Sequence, residues 1–124
     1  MILAIMADLM FSVKIIDEAK KLGLKVQFVK DEATAFAQFK QRPELVIFDL
    51  NYAAANPLGL LRGMHGDPET SRIETVGFIS HVQVDLRKEA QDAGCGEVIA
   101  RSAFAQKLPG ILARYAGDKT DARN

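Results

Sequence analysis

The chain has 124 residues, with sixteen Lys and Arg balancing sixteen Asp and Glu. That length suits a single domain, and the charge balance draws it towards neither nucleic acid nor an anionic membrane surface. One cysteine, Cys95, excludes an internal disulfide and, with no His/Cys cluster around it, a zinc site; the simple expectation is a reduced, cytoplasmic protein.

Residues 1–8 are apolar but have no basic leader, and Asp8 interrupts them before a signal core could form. No later stretch is long enough to cross a bilayer. Ile2 to Met6 reads as a buried strand, followed by a helix from Asp8 to Leu22 with Leu9, Val13 and Ile16 inward, Asp8 as its N-cap and Gly23 at its end. Leu24 to Val29 gives a second strand. Asp31 caps a helix to about Lys40 with Phe36 and Phe39 inward. Leu45 to Phe48, started by Pro43, is a third strand, and a helix begins near Pro57.

After the loop signal Gly66-Asp67-Pro68, Ile73 to Ile79 forms a fourth strand, and Val82, Leu86, Ala90 and Ala93 repeat at helical spacing before Gly94. Val98 to Ala100 is a fifth strand. Phe104, Leu108, Ile111, Leu112 and Tyr115 line one face of a last helix, whose regular part is expected to start around Pro109 because proline suits a first turn. Residues 1–116 make up the domain, and residues 117–124 read as a polar, frayed tail. Strict alternation of strand and helix implies a parallel sheet with helices on both faces: a three-layer α/β domain, the doubly wound (βα)5 arrangement of flavodoxin-like chains.

In that architecture ligands gather beyond the carboxyl ends of the strands. The third strand stops at a carboxylate, Asp49, which makes Asp49 the leading functional candidate. Met6-Ala7-Asp8, Asp49-Leu50-Asn51, Ser80-His81 and Arg101-Ser102 would meet at that edge. His65 and His81 are isolated and read as surface residues, and Cys95, between two glycines, as the filling of a small turn.

Residues 2–116 resemble the receiver domains of bacterial two-component response regulators, the CheY-like family. Pro43-Glu44-Leu45-Val46-Ile47-Phe48-Asp49-Leu50 is similar to the family segment that ends in the phosphoacceptor aspartate, and Gly66-Asp67-Pro68-Glu69-Thr70 to the usual lead-in to the fourth strand. Ser80 matches the switch hydroxyl, and Gly94 to Arg101 the last loop and strand, which in the family end in lysine. The resemblance implies that Asp49 attacks a phosphoryl group, with Ser80 and Arg101 contacting its oxygens and Mg2+ neutralising the crowded charge. It further implies that Asn51 gives a backbone carbonyl to the metal, with Asp8 the nearest acid to help.

Where the family carries an acidic, metal-holding pair after the first strand, this sequence has Met6 and Ala7. Arg101 replaces the lysine, Ser102 the proline after it, Ala53 a proline of the third loop and Val98 an aromatic that reports activation. The resemblance therefore implies a stand-alone pseudo-receiver: not an enzyme, impaired in phosphorylation, and acting through contact with a histidine kinase or downstream effector. The docking face it implies combines the Val82–Ala93 helix, the Val98–Ala100 strand and the Phe104–Tyr115 helix, with Asp85, Arg87, Lys88, Gln91, Gln106 and Lys107 exposed. The alternatives are a phosphorylation-competent single-domain response regulator using Asp49 and, in another class, a flavodoxin-like cofactor-binding enzyme. The latter lacks a Gly/Ser/Thr-rich phosphate loop after the first strand.

Overall fold

The structure, a computed structural model, describes the backbone of residues 1–80 and 83–122 and the side chains of those up to Ala116. Five parallel strands form one sheet: β1 (Ile2–Ile5), β2 (Val26–Val29), β3 (Leu45–Asp49), β4 (Glu74–Ile79) and β5 (Glu97–Ala100), in the order β2-β1-β3-β4-β5. Between and after them run α1 (Leu9–Lys21), α2 (Glu32–Gln38), α3 (Pro57–Gly66), α4 (Val84–Asp92) and α5 (Arg101–Ala122). Helices α1 and α5 cover one face of the sheet, and α2, α3 and α4 the other. The doubly wound (βα)5 expectation thus holds. Val82 and His81 lie outside the described residues, as does the end of the tail at Asn124.

The central strands are apolar because both their faces are covered; Ile2 to Ile5 and Leu45 to Phe48 are wholly buried. Parallel pairing sets Ile5 beside Phe48 and Asp49 beside Phe78, so the chain leaves β1 and β3 at the same edge. Gly77 makes that edge possible. A Cβ there would stand 2.7 Å from the Leu50 side chain, which folds back over β4 just after Asp49.

Helix α1 corrects the expected inward face. Phe11, Ile15 and Ala19 are buried, whereas Leu9 is 78% exposed and Val13 and Ile16 also face solvent. Both stripes have helical spacing, so the pattern alone does not choose between them. An aromatic cluster does: the Phe11 ring meets Phe78 edge-on at 5.1 Å and Phe104 at 5.7 Å, while Phe78 stacks on Phe104 at 5.1 Å. Burying a phenylalanine contributes about 1.5–3 kcal/mol, and edge and stacked contacts add about 0.5–1.5 kcal/mol a pair. Leu9 at the helix start reaches no comparable partner.

Helix α2 gives a second correction. Phe39 is buried, but Phe36 is 53% exposed. The last helix gives a third, since α5 begins at Arg101 and passes through Pro109 without ending. Proline inside a helix costs about 3 kcal/mol, yet Phe104 and Leu108 before it and Ile111, Leu112 and Tyr115 after it are all buried on one face and hold both halves together. The backbone stays helical to Ala122, where the sequence suggested a frayed tail. Among the described residues no helix is long and apolar enough to cross a membrane.

Candidate functional site

Asp49 ends β3 half-buried, with the main-chain N–H of Asn51 donating to its Oδ1 at 3.0 Å. Burial pushes its carboxyl above the ordinary carboxylate range; the Asn51 N–H and the charge of Arg101 pull the other way, and the charge of Asp8 adds to the rise. The fold thus brings Asp8, Asp49 and Arg101 close enough to feel one another.

The Arg101 guanidinium is ion-paired with Asp8 Oδ2, and among the described residues Arg101 makes no ion pair with Asp49. Its position is held from below, because Cζ lies 4.7 Å from the Phe11 ring centroid and 5.5 Å from that of Phe78. Asp8 is engaged twice over. Its Oδ1 accepts the Phe11 N–H at 2.9 Å as the N-cap of α1, and its carbonyl accepts the Ser12 hydroxyl at 2.7 Å.

Asn51 is tied into its surroundings through both main chain and side chain. The carbonyl that the family resemblance assigns to a metal accepts the Ala53 N–H at 3.0 Å, closing a turn. Its side chain forms a strap: Oδ1 accepts the Ser80 N–H at 2.8 Å and Nδ2 donates to Gln83 Oε1 at 2.7 Å. Loop β3–α3 is thereby tied to the end of β4 and the start of α4. Neither Gln83 nor the aromatic seat of Arg101 was visible to motif reasoning, since each depends on a register or a packing choice.

Few side chains at this edge could hold a divalent cation. Met6 is buried among the aromatic residues of the α1/α5 face, Ala7 offers a methyl group, and Asp8 already caps a helix and pairs with Arg101. Among the described residues no three His, Cys, Asp or Glu side chains cluster as metal ligands. Magnesium is held by one or two carboxylates with waters completing its octahedron, and of the two acids here Asp49 alone is neither a helix cap nor ion-paired.

The remaining candidates have structural explanations. His65 packs over Gly94, where an added Cβ would lie 2.8 Å from the imidazole Cγ. Gly94 itself has φ +103°, a backbone shape that glycine tolerates. Cys95 is buried with Sγ donating to the Glu97 carbonyl, and burial raises its pKa, which makes the thiol a poor nucleophile. Of the expected docking residues, Asp85, Lys88, Gln91, Gln106 and Lys107 are exposed, but Arg87 is half-buried and donates to the Val98 carbonyl.

No protein-family model and no curated protein sequence matches the chain. Solved structures do. A response regulator from Hahella chejuensis superposes with a TM-score of 0.81 at 19% identity, over 90% of this chain and 91% of that one. The receiver domain of a sensor histidine kinase from Pseudomonas aeruginosa, solved with magnesium coordinated in its active-site cleft, gives a TM-score of 0.77 at 20% identity, over 94% and 96% of the two chains. The phosphorylated cyanobacterial phytochrome response regulator RcpA gives 0.76 at 22% identity, over 90% and 86%. On these superpositions the chain has the fold of the response-regulator receiver domains, the CheY-like fold.

Proposed function

We propose that this chain serves as a receiver-type signalling domain of a two-component phosphorelay, working by contact with a protein partner while phosphoryl transfer to Asp49 is impaired. The observation that carries this reading is the Asp8–Arg101 pair. The basic side chain that should meet a phosphoryl oxygen neutralises an acid of the chain itself, and the acid nearest the metal position is thereby removed from service. Met6 and Ala7 leave no other carboxylate on that loop.

Magnitudes support the impairment. A unit charge pair at contact distance is worth about 4 kcal/mol gross at an effective dielectric of about 20. Even with half of that cancelled by desolvation, each unit charge pair lost from the transition state slows transfer by about one and a half decades, and the loss of two acids facing a dication by more. The partner, a histidine kinase or a downstream effector, would then meet a surface in one standing conformation. Asp85, Lys88 and Gln91 on α4 with Gln106 and Lys107 on α5 are its exposed polar contacts.

Incubation with acetyl phosphate and magnesium, followed by intact-mass measurement, tests the reading. Unmodified protein after an hour is expected. An acyl phosphate formed within minutes, and absent from Asp49→Asn, would establish the competent-regulator alternative instead.

A further inference from the structure

On the face of the sheet opposite α1 and α5, α2 and α3 leave an open groove of about 200 Å³ whose floor is Phe39 and Met64 and whose wall is the exposed ring of Phe36. Small-molecule sites usually enclose about 300–1,000 Å³, so this one takes a single large side chain rather than a whole ligand. Its rim carries charge of both signs. Lys40 and Arg42 come from the end of the α2 segment, Asp67 and Glu69 from the loop after α3, and among the described residues none of the four makes an ion pair.

Arg42 is also held in an unusual backbone shape. It has φ 51° and ψ 63°, the left-handed region, immediately before Pro43. The other non-glycine residue there among those described, Asn56, caps α3 by accepting the Gly59 N–H. The Arg42 side chain has no such local use, for it makes no hydrogen bond or ion pair among the described residues. Such strain tends to persist where it aims a functional group.

Beyond Arg42 and Glu69 the surface remains concave along Pro43, Pro68 and Ile73, giving a flanking chain somewhere to lie. We propose that this groove docks a peptide segment of a partner protein, with one bulky apolar side chain inserted against Phe36 and Phe39, an acidic residue facing Lys40 and Arg42, and a basic residue facing Asp67 and Glu69. It lies apart from Asp49 and does not depend on how that residue behaves.

The probe is the capped peptide acetyl-Glu-Ala-Leu-Ala-Lys-amide, titrated into the isotope-labelled 124-residue chain and followed by amide chemical shifts. Shifts centred on Phe36, Gly63 and Met64 with half-saturation at millimolar peptide are expected. They should vanish when the peptide leucine becomes alanine, and weaken at least fivefold in the Lys40→Glu/Arg42→Glu variant. Gly63→Leu is the blocking control. Gly63 is exposed on α3, and a Cβ there would lie 3.6 Å from the Phe36 ring, so leucine fills the groove at ordinary contact distance while helix propensity improves. A melting midpoint no lower than that of the wild type, with binding abolished, supports the proposal. No shifts at several millimolar peptide, shifts that survive Gly63→Leu, or shifts confined to α4 and α5 would overturn it. So would concentration-dependent dimerisation that Gly63→Leu removes, because a second copy would then be the occupant.

Discussion

Arg101, the first residue of α5, and Asp8, the N-cap of α1, form an ion pair across the edge of the sheet, above the rings of Phe11 and Phe78. The contact joins two helices on the same face and neutralises the basic and the acidic group that flank Asp49. It is a structural clasp and, on the function proposed above, the feature that would hinder phosphoryl chemistry at this edge.

The clasp should be measurable by urea denaturation. Both side chains are about one-third exposed, at 31% and 35%, which discounts their attraction. Arg101→Ala is expected to cost about 1–2 kcal/mol, combining a charge-assisted hydrogen bond with a cation–π contact. Asp8→Ala should cost a similar amount because it also removes an N-cap. The double variant should fall short of the sum by about 1 kcal/mol. Strict additivity would show that the two side chains do not act together.

Asp49 should weaken the fold when ionised. Its folded-state pKa is raised, chiefly by burial, so the folded chain holds this proton more tightly than the unfolded chain does. The penalty is complete above the folded pKa and vanishes below the unfolded one. Asp49→Asn is therefore expected to raise the melting midpoint at neutral pH, and the two proteins should converge as the pH drops below the carboxylate range. A variant that melts lower at neutral pH would show that Arg101 and Asn51 outweigh burial.

The two stripes of α1 can be separated by substitution. Ile15→Ala removes a fully buried side chain and should cost about 2–5 kcal/mol. Val13→Ala lies on the exposed face and should stay within about 0.5 kcal/mol of wild type. Equal losses at both positions would mean that the helix is rotated from the orientation described.

Much of the fold was legible because period and punctuation agree. Pro43 and Asp49 bracket an apolar run that could only be a strand covered on both sides, Gly23 closes α1, and Asp8 and Asp31 cap their helices by accepting the N–H groups of Phe11 and Thr34. What escaped was whatever depended on long-range packing. Leu9, Val13 and Ile16 repeat as regularly as Phe11, Ile15 and Ala19, and only the rings of Phe78 and Phe104, far along the chain, decide which set turns inward. Pro109 looked like a helix start because its cost is local, whereas the burial that offsets it is tertiary. At the site, the resemblance identified Asp49, Ser80, Asn51 and Arg101 as neighbours of one edge. It could not reveal that Arg101 would choose Asp8, or that the Asn51 side chain would bridge Ser80 and Gln83, since those choices rest on rotamers and not on motifs.

On the function proposed above, this edge lacks the means to hold a metal tightly beside Asp49. Magnesium with beryllofluoride, a mimic of the phosphoryl group, tests it directly when the melting midpoint is followed, because binding to the folded state alone adds about 2.7 kcal/mol at a hundredfold excess over Kd. The Met6→Asp/Ala7→Asp variant serves as the positive control and should gain a magnesium-dependent rise. Wild-type protein is expected to melt at the same temperature with and without the mixture; a rise of several degrees that Asp49→Asn abolishes would contradict the account.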